Sequence, residues 1–227
     1  MKQNIEMIQY YTPELLKALK ETGQMIGISM IVGSLFGLVI GTLLFLLRKD
    51  GVYETVWLQR IINIFVNVIR SFPFLLLVVA LIPLTRIVFG TAFGPIAASF
   101  SLSIVAIAIY ARLVEQVLLD VPEETLELAD SLGTTLPQLV FHFLWLEARS
   151  GLVLAVTSML ISLVSYSTIM GVVGGGGIGD FAIRYGYQRY EYGVMYFAIV
   201  VMIVIVGSIQ MIGTNIATRL DKRKVGK

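Results

Sequence analysis

Apolar residues run almost unbroken through five stretches of the chain, 22–47, 61–83, 92–114, 152–175 and 193–217. Each is long enough for a membrane-crossing helix, which needs roughly 20 residues. The runs are continuous and lack the alternation of a barrel strand. In lipid their backbone groups find partners only within a helix, so the pattern predicts an all-α membrane protein with five transmembrane helices. Ahead of the first run, Thr12-Pro13-Glu14 has the form of a helix start. Leu15, Leu16 and Leu19 then give an apolar side that predicts an interfacial segment over residues 1–20. The membrane domain is expected over 21–216, and a short basic tail over 217–227 closes the chain.

One long polar connector, 115–147, separates the third and fourth runs. Asp120-Val121-Pro122-Glu123 reads as a capping box, with Asp120 at the N-cap and Glu123 three residues on. The helix that follows should place Val121, Thr125, Leu128 and Leu132 on one stripe and leave Glu123, Glu124, Glu127 and Asp130 mostly elsewhere. Gly133 is its expected stop, because glycine accepts the left-handed conformation that follows a helix end. Thr135-Leu136-Pro137-Gln138 resembles a second start. Two short amphipathic helices meeting at a glycine make a knob with an apolar ridge and an acidic rim, suited to a groove on another protein.

Several positions inside the runs depart from plain hydrocarbon. Gly33, Gly37 and Gly41 recur every four residues, with Gly23 and Gly27 before them, and predict a close helix contact. The second run contains Asn63, Asn67, Arg70, Ser71 and Pro73. For Arg70 two roles stand: capping carbonyls freed by Pro73 or pairing with a connector carboxylate, and contact with a solute. The fourth run ends in Ser165, Tyr166 and Ser167, whose hydroxyls suit a translocation path, with Ile169 and Met170 as an apolar constriction. Gly174, Gly176 and Gly179 spell G-x-G-x-x-G, but a membrane helix precedes them rather than a strand, which excludes a dinucleotide site and leaves a flexible external turn. Tyr185, Tyr187, Tyr190 and Tyr192, with Arg184 and Arg189, suit either an aromatic belt or a docking surface for a partner.

Composition narrows the function classes. The chain is 57% hydrophobic and only 14% charged, with a mean hydropathy of +0.85, against roughly a quarter charged in soluble domains. A net charge of +2 gives no basis for nucleic-acid binding; the absence of cysteine excludes thiolate sites, and a lone His142 excludes a histidine-rich metal site. No G-x-x-x-x-G-K-[ST] occurs, and a Ser-His-Asp arrangement would have to rest on His142. The chain is therefore read as a non-enzyme, and ATP-driven transport would place the ATPase on a separate chain. The first run is too long for a cleavable signal and lacks an A-x-A-like site after it. With the connector cytoplasmic, ten Lys and Arg residues fall inside (Arg48, Lys49, Arg60, Arg112, Arg149, Arg219, Lys222, Arg223, Lys224, Lys227) and six outside (Lys2, Lys17, Lys20, Arg86, Arg184, Arg189). The positive-inside bias predicts an external N-terminus and a cytoplasmic C-terminus.

Glu127, Ala129 and Gly133, lying between the third and fourth of five spans, form an E-x-A followed by glycine that resembles the EAA loop of type I ABC importer permeases. Leu128 stands where that loop usually has an alanine, and Trp145-Leu146 where Leu-Pro is expected. Asn67 to Phe74, Ile82 to Arg86, Gly90-Thr91, Tyr166-Ser167, Gly171 to Gly179 and Tyr185-Gly186-Tyr187 are collinear with methionine importer permeases, and the similarity spans 21–216. The resemblance implies a multi-pass permease of the bacterial inner membrane, surrounded by lipid, that pairs with a second copy of itself. It also implies two ABC ATPase subunits carrying ATP and Mg, an extracytoplasmic methionine-binding lipoprotein, and no cofactor on this chain. Glu127, Ala129, Asp130, Leu132 and Gly133 would couple to the ATPase. A permease for another amino acid or a methionine derivative is the near alternative; a stand-alone secondary transporter would show an internal repeat, and none is evident. A membrane scaffold that recruits a soluble protein through the acidic loop is the third class.

Overall fold

Thr12 opens α1 (Thr12–Leu46), the first helix given among the described residues of a computed structural model, which are 10–49 and 51–221. Lys2, Lys222, Arg223, Lys224 and Lys227 lie outside the described residues, as does most of the basic tail. Seven further helices follow: α2 (Val56–Ser71), α3 (Phe74–Phe89), α4 (Pro95–Leu119), α5 (Glu123–Ser131), α7 (Arg149–Val172), α8 (Gly177–Phe181) and α9 (Tyr192–Leu220). Between α5 and α7, residues 136–147 wind as α6, whose middle part Leu139–Leu144 has π-helical turns; a π-helical segment, Ala182–Tyr187, also prolongs α8.

Residues 12–20 of the expected interfacial segment continue into the first span as one helix, and residues 1–9 lie outside the described residues. α1 has 35 residues, about 52 Å at 1.5 Å per residue, well beyond the roughly 30 Å of a hydrocarbon core. Its first turns do not lie free on a membrane surface: Tyr11, Leu15 and Ala18 are buried against Ile178, Phe181, Val194 and Ala198.

α1 and α4 form the centre of the bundle. Gly33, Gly37 and Gly41 are buried along their contact, and a Cβ at Gly33 would come within 2.5 Å of the Ala106 Cβ. A Cβ at Gly23 or Gly27 would meet nothing within 4 Å, because six residues from Gly27 to Gly33 rotate the helix about 240° and turn them off that face. Around this pair Met25, Leu102, Val114, Met159 and Leu163 fill the main core.

The second span is broken. α2 and α3 meet at 110° across Phe72 and Pro73, in place of one helix over 61–83. Proline disfavours the helical region for the residue before it, and Phe72 is extended at φ −71°, ψ 132°. α2 packs through Val66 and Ile69 on Leu44, Ala108 and Ala111. Four helices, α1, α4, α7 and α9, are individually long and apolar enough to cross a membrane, and the bent pair supplies a fifth crossing when counted as one span. α9 leaves Ile199, Val200, Ile203 and Val204 exposed, the surface expected of a helix that faces lipid or a membrane partner.

Candidate functional site

The polar connector folds into a knob whose stop signal was legible and whose start was not. Asp120 does not cap α5. It continues the turn of α4 at φ −84°, ψ 0°, and the boundary falls at Pro122, extended at ψ 140°, with no side-chain cap. Glu123 and Glu124 still occupy the first turn, where carboxylates interact favourably with the helix dipole. At the other end Gly133 adopts φ +62°. Its N–H donates to the Asp130 carbonyl (2.8 Å) and the Thr134 N–H to the Ala129 carbonyl (3.2 Å), the paired closure of a Schellman motif. The second start is present as well, since the Thr135 N–H and hydroxyl both donate to Gln138 Oε1, at 2.8 and 2.9 Å.

The expected apolar stripe divides into two halves. Val121 and Thr125 are half-buried, whereas Leu128 and Leu132 are 55% and 65% exposed. Ala129, 2% exposed, faces inward and belongs with Leu139, Leu144 and Ala148 in the main core. Glu127 and Asp130 are exposed beside the leucine ridge. Trp145, off the family pattern, ties the knob to the bundle: its indole N–H donates to the Thr42 hydroxyl at 3.1 Å. The knob is thus anchored on one side and presents leucines and carboxylates on the other.

Asn63 and Asn67, singled out in the second run, belong to a polar cluster where α2 crosses α4, whose other members, Arg112 and Glu115, sequence reasoning missed. Arg112 Nη2 donates to Asn63 Oδ1 (2.6 Å) and Asn67 Oδ1 (2.7 Å), and Nη1 to Glu115 Oε2 (2.6 Å). Asn63 and Asn67 share a helix face at i, i+4, and the Asn67 amide donates to Asn63 at 3.1 Å. Arg112→Met removes the ion-pair partner of the Glu115 carboxylate, whose side chain is 10% exposed. Leaving such a group unpaired costs about 3–5 kcal/mol, so the thermal midpoint in detergent should fall by at least about 6 °C. Arg112→Met/Glu115→Leu should recover most of that loss, and a double variant as unstable as the single one would contradict a paired charge. Arg70 does neither structural job foreseen for it, having no hydrogen bond or ion pair among the described residues. Ser71 is exposed at the end of α2.

The five expected path residues of α7 do not form one lining in this chain. Ser165 and Ile169, together with Thr168, line an apolar cleft of about 980 Å³ against α9. Tyr166 faces another way, packing on Phe74 with ring centroids 4.5 Å apart and planes tilted by 31°. Ser167 (2% exposed) donates to its own helix at Val164, and Met170 (3% exposed) is part of the core, on another face of α7 from Ile169.

Nor is the glycine run a flexible turn. The Gly177 N–H donates to Glu21 Oε2 and the Ile178 N–H to the Thr22 hydroxyl, both at 2.9 Å, and the Gly94 N–H donates to the Gly174 carbonyl at 2.9 Å. Gly174, Gly176 and Gly177 all have φ between 79° and 87°, a conformation that side chains with a Cβ rarely adopt. Tyr185 is half-buried between Tyr11 and Phe181, whereas Tyr187, Tyr190 and Tyr192 are exposed. Beside them Arg189 donates to the Tyr11 hydroxyl at 3.3 Å, which raises its guanidinium pKa above the ordinary value.

A helical membrane domain with an outward-facing helical knob between its third and fourth crossings defines the permease class of binding-protein-dependent transporters. Residues 33–226 match the family described as "Binding-protein-dependent transport system inner membrane component", and the chain belongs to that family. Within it, the chain belongs with the MetI and MetP methionine permeases. It is 43% identical over 209 residues, 92% of this chain and 93% of the relative, to the probable D-methionine transport system permease protein MetI of Vibrio cholerae. It is 36% identical over 181 residues, 80% and 82% of the two chains, to the methionine import system permease protein MetP of Bacillus subtilis. The fold is similar to a chain of the MetNI methionine ABC transporter in an inward-facing conformation, with a TM-score of 0.89 and 37% identity over 92% of this chain and 96% of that one. The protein is a transport subunit of the inner membrane rather than an enzyme.

Proposed function

We propose that this chain is the membrane-spanning subunit of an ATP-driven importer that carries methionine inward by alternating access. The observation that carries this reading is the near full-length similarity to methionine permeases, 43% over 92% of the chain. Two copies pair around the translocation path, each knob docks in one of two ABC ATPase subunits, and those subunits bind ATP and Mg. The knob lies on the cytoplasmic side, which makes the N-terminus external. Solute arrives from an extracytoplasmic methionine-binding protein at the opposite face.

The geometry supports that division of labour. Glu127, Asp130, Leu128 and Leu132 are exposed on α5, while Ala129 and Leu139 fix the knob to the core and the Trp145–Thr42 hydrogen bond joins it to α1. Displacement of the knob therefore reaches the central α1–α4 pair through packed contacts rather than a slack loop. Reconstitution of the chain with its ATPase and binding protein in liposomes should give methionine uptake that requires ATP on the ATPase side. Uptake of a different amino acid in place of methionine would move the cargo assignment, and uptake without the ATPase would overturn the coupling.

A further inference from the structure

A cavity of about 280 Å³ beside the Phe72–Pro73 bend, between α2, α3, α4 and α7, combines features that packing alone does not require. Its lining combines the polar Arg70, Arg112, Gln116 and Tyr166 with the apolar Leu77, Val105 and Ile109. Arg112 is balanced by Glu115 at 2.6 Å. The side chains of Arg70, Gln116 and Tyr166 make no hydrogen bond among the described residues, and Arg70, exposed like Gln116, is the charge on the cavity without a counter-ion among them. An ionisable residue within a membrane segment that lacks a counter-ion marks a functional position.

The chemistry of the lining selects a class of ligand. A guanidinium with its donors free takes a carboxylate in a bidentate geometry. The rings of Phe74 and Tyr166, with centroids 4.5 Å apart and planes tilted by 31°, each have a π face not turned to the other for an ammonium group, and the Gln116 carbonyl can accept from it. Leu77, Val105 and Ile109 give an unbranched apolar side chain an apolar surface to pack on. We propose that this cavity is a substrate site of the permease itself, holding an α-amino acid with its carboxylate on Arg70 and its side chain on the apolar wall. The proposal rests on the permease reading above and adds to it a selective contact between transported solute and this chain.

The test uses the permease–ATPase complex without binding protein and radiolabelled L-methionine in equilibrium dialysis. Saturable binding is expected, weakened by about tenfold or more in Arg70→Gln, the loss of one charged hydrogen-bonded contact. Arg70→Lys should recover part of the affinity, and L-methioninamide, which lacks the carboxylate, should not compete. Because the Arg70 side chain makes no hydrogen bond or ion pair among the described residues, Arg70→Gln should keep the wild-type thermal midpoint. Equal binding by Arg70→Gln and wild type, or effective competition by the amide, overturns the site. So does a complete transporter that imports methionine while its wild-type permease–ATPase complex shows no saturable binding. A complete transporter that imports no methionine defeats the permease reading instead.

Discussion

Gly41→Leu is expected to separate α1 from α4 and lower the thermal midpoint of the detergent-solubilised chain by about 5 °C or more. A Cβ at position 41 would overlap the carbonyl oxygen of Ala111 and lie 2.6 Å from the Val114 Cβ. One obstacle is backbone and the other a branched core residue that is fully buried, so no rotamer change clears the space. Overpacking a close-packed contact costs about 1–3 kcal/mol, and in a chain of this length each kcal/mol moves the midpoint by about 2–4 °C. The whole of leucine must then fit where a hydrogen stood, which places this variant at the upper end of that range. Gly23→Leu is the matched control, because nothing lies within 4 Å of its Cβ position. An unchanged midpoint in Gly41→Leu would contradict the glycine-mediated contact, since both variants alter helix propensity alike.

That contact was readable because small residues four apart announce it without tertiary knowledge. So was the end of α5, since a single glycine after an amphipathic helix leaves few alternatives to the closure seen at Gly133. The start of α5 was not, because Asp120 satisfies the local pattern for a cap while α4 runs on through Leu119 and keeps Asp120 in its own turn. Pro73 foretold a disturbance of the second span, but the size of the bend depends on what α2 and α3 each pack against. The Arg112 cluster joins positions 45 and 49 residues apart, and the Glu21–Gly177 hydrogen bond joins positions 156 apart; neither has a local signal. The α7 path residues illustrate a different limit. Each step along a helix turns about 100°, so Ser165 and Ile169 share a face but Tyr166, Ser167 and Met170 cannot join them. Polarity near the end of the fourth span marked a useful segment, while helical rotation divided it between the α9 cleft, the core and the cavity at Arg70.

Leu128→Asp/Leu132→Asp should abolish ATP-driven uptake while leaving the chain inserted and folded. The two leucines are 55% and 65% exposed and lie apart from the packing that secures the knob, which runs through Ala129, Leu139 and Leu144. Stability should therefore change little, and the thermal midpoint serves as the control for folding. On a docking surface, buried apolar anchors each contribute on the order of 2 kcal/mol, and two carboxylates in their place add the cost of desolvating charge inside the partner's groove. Glu127 and Asp130 already flank the ridge, so the new charges would also sit among like charges. The loss of association should exceed about 100-fold, with the ATPase no longer retained through purification and any residual hydrolysis independent of solute. Glu123→Gln, a substitution in the first turn of α5 about 140° round the helix from Leu128, should retain both the ATPase and uptake. Normal uptake by the double aspartate variant would remove the ridge from the coupling surface, and with it the physical reason for reading the knob as the point where the motor engages.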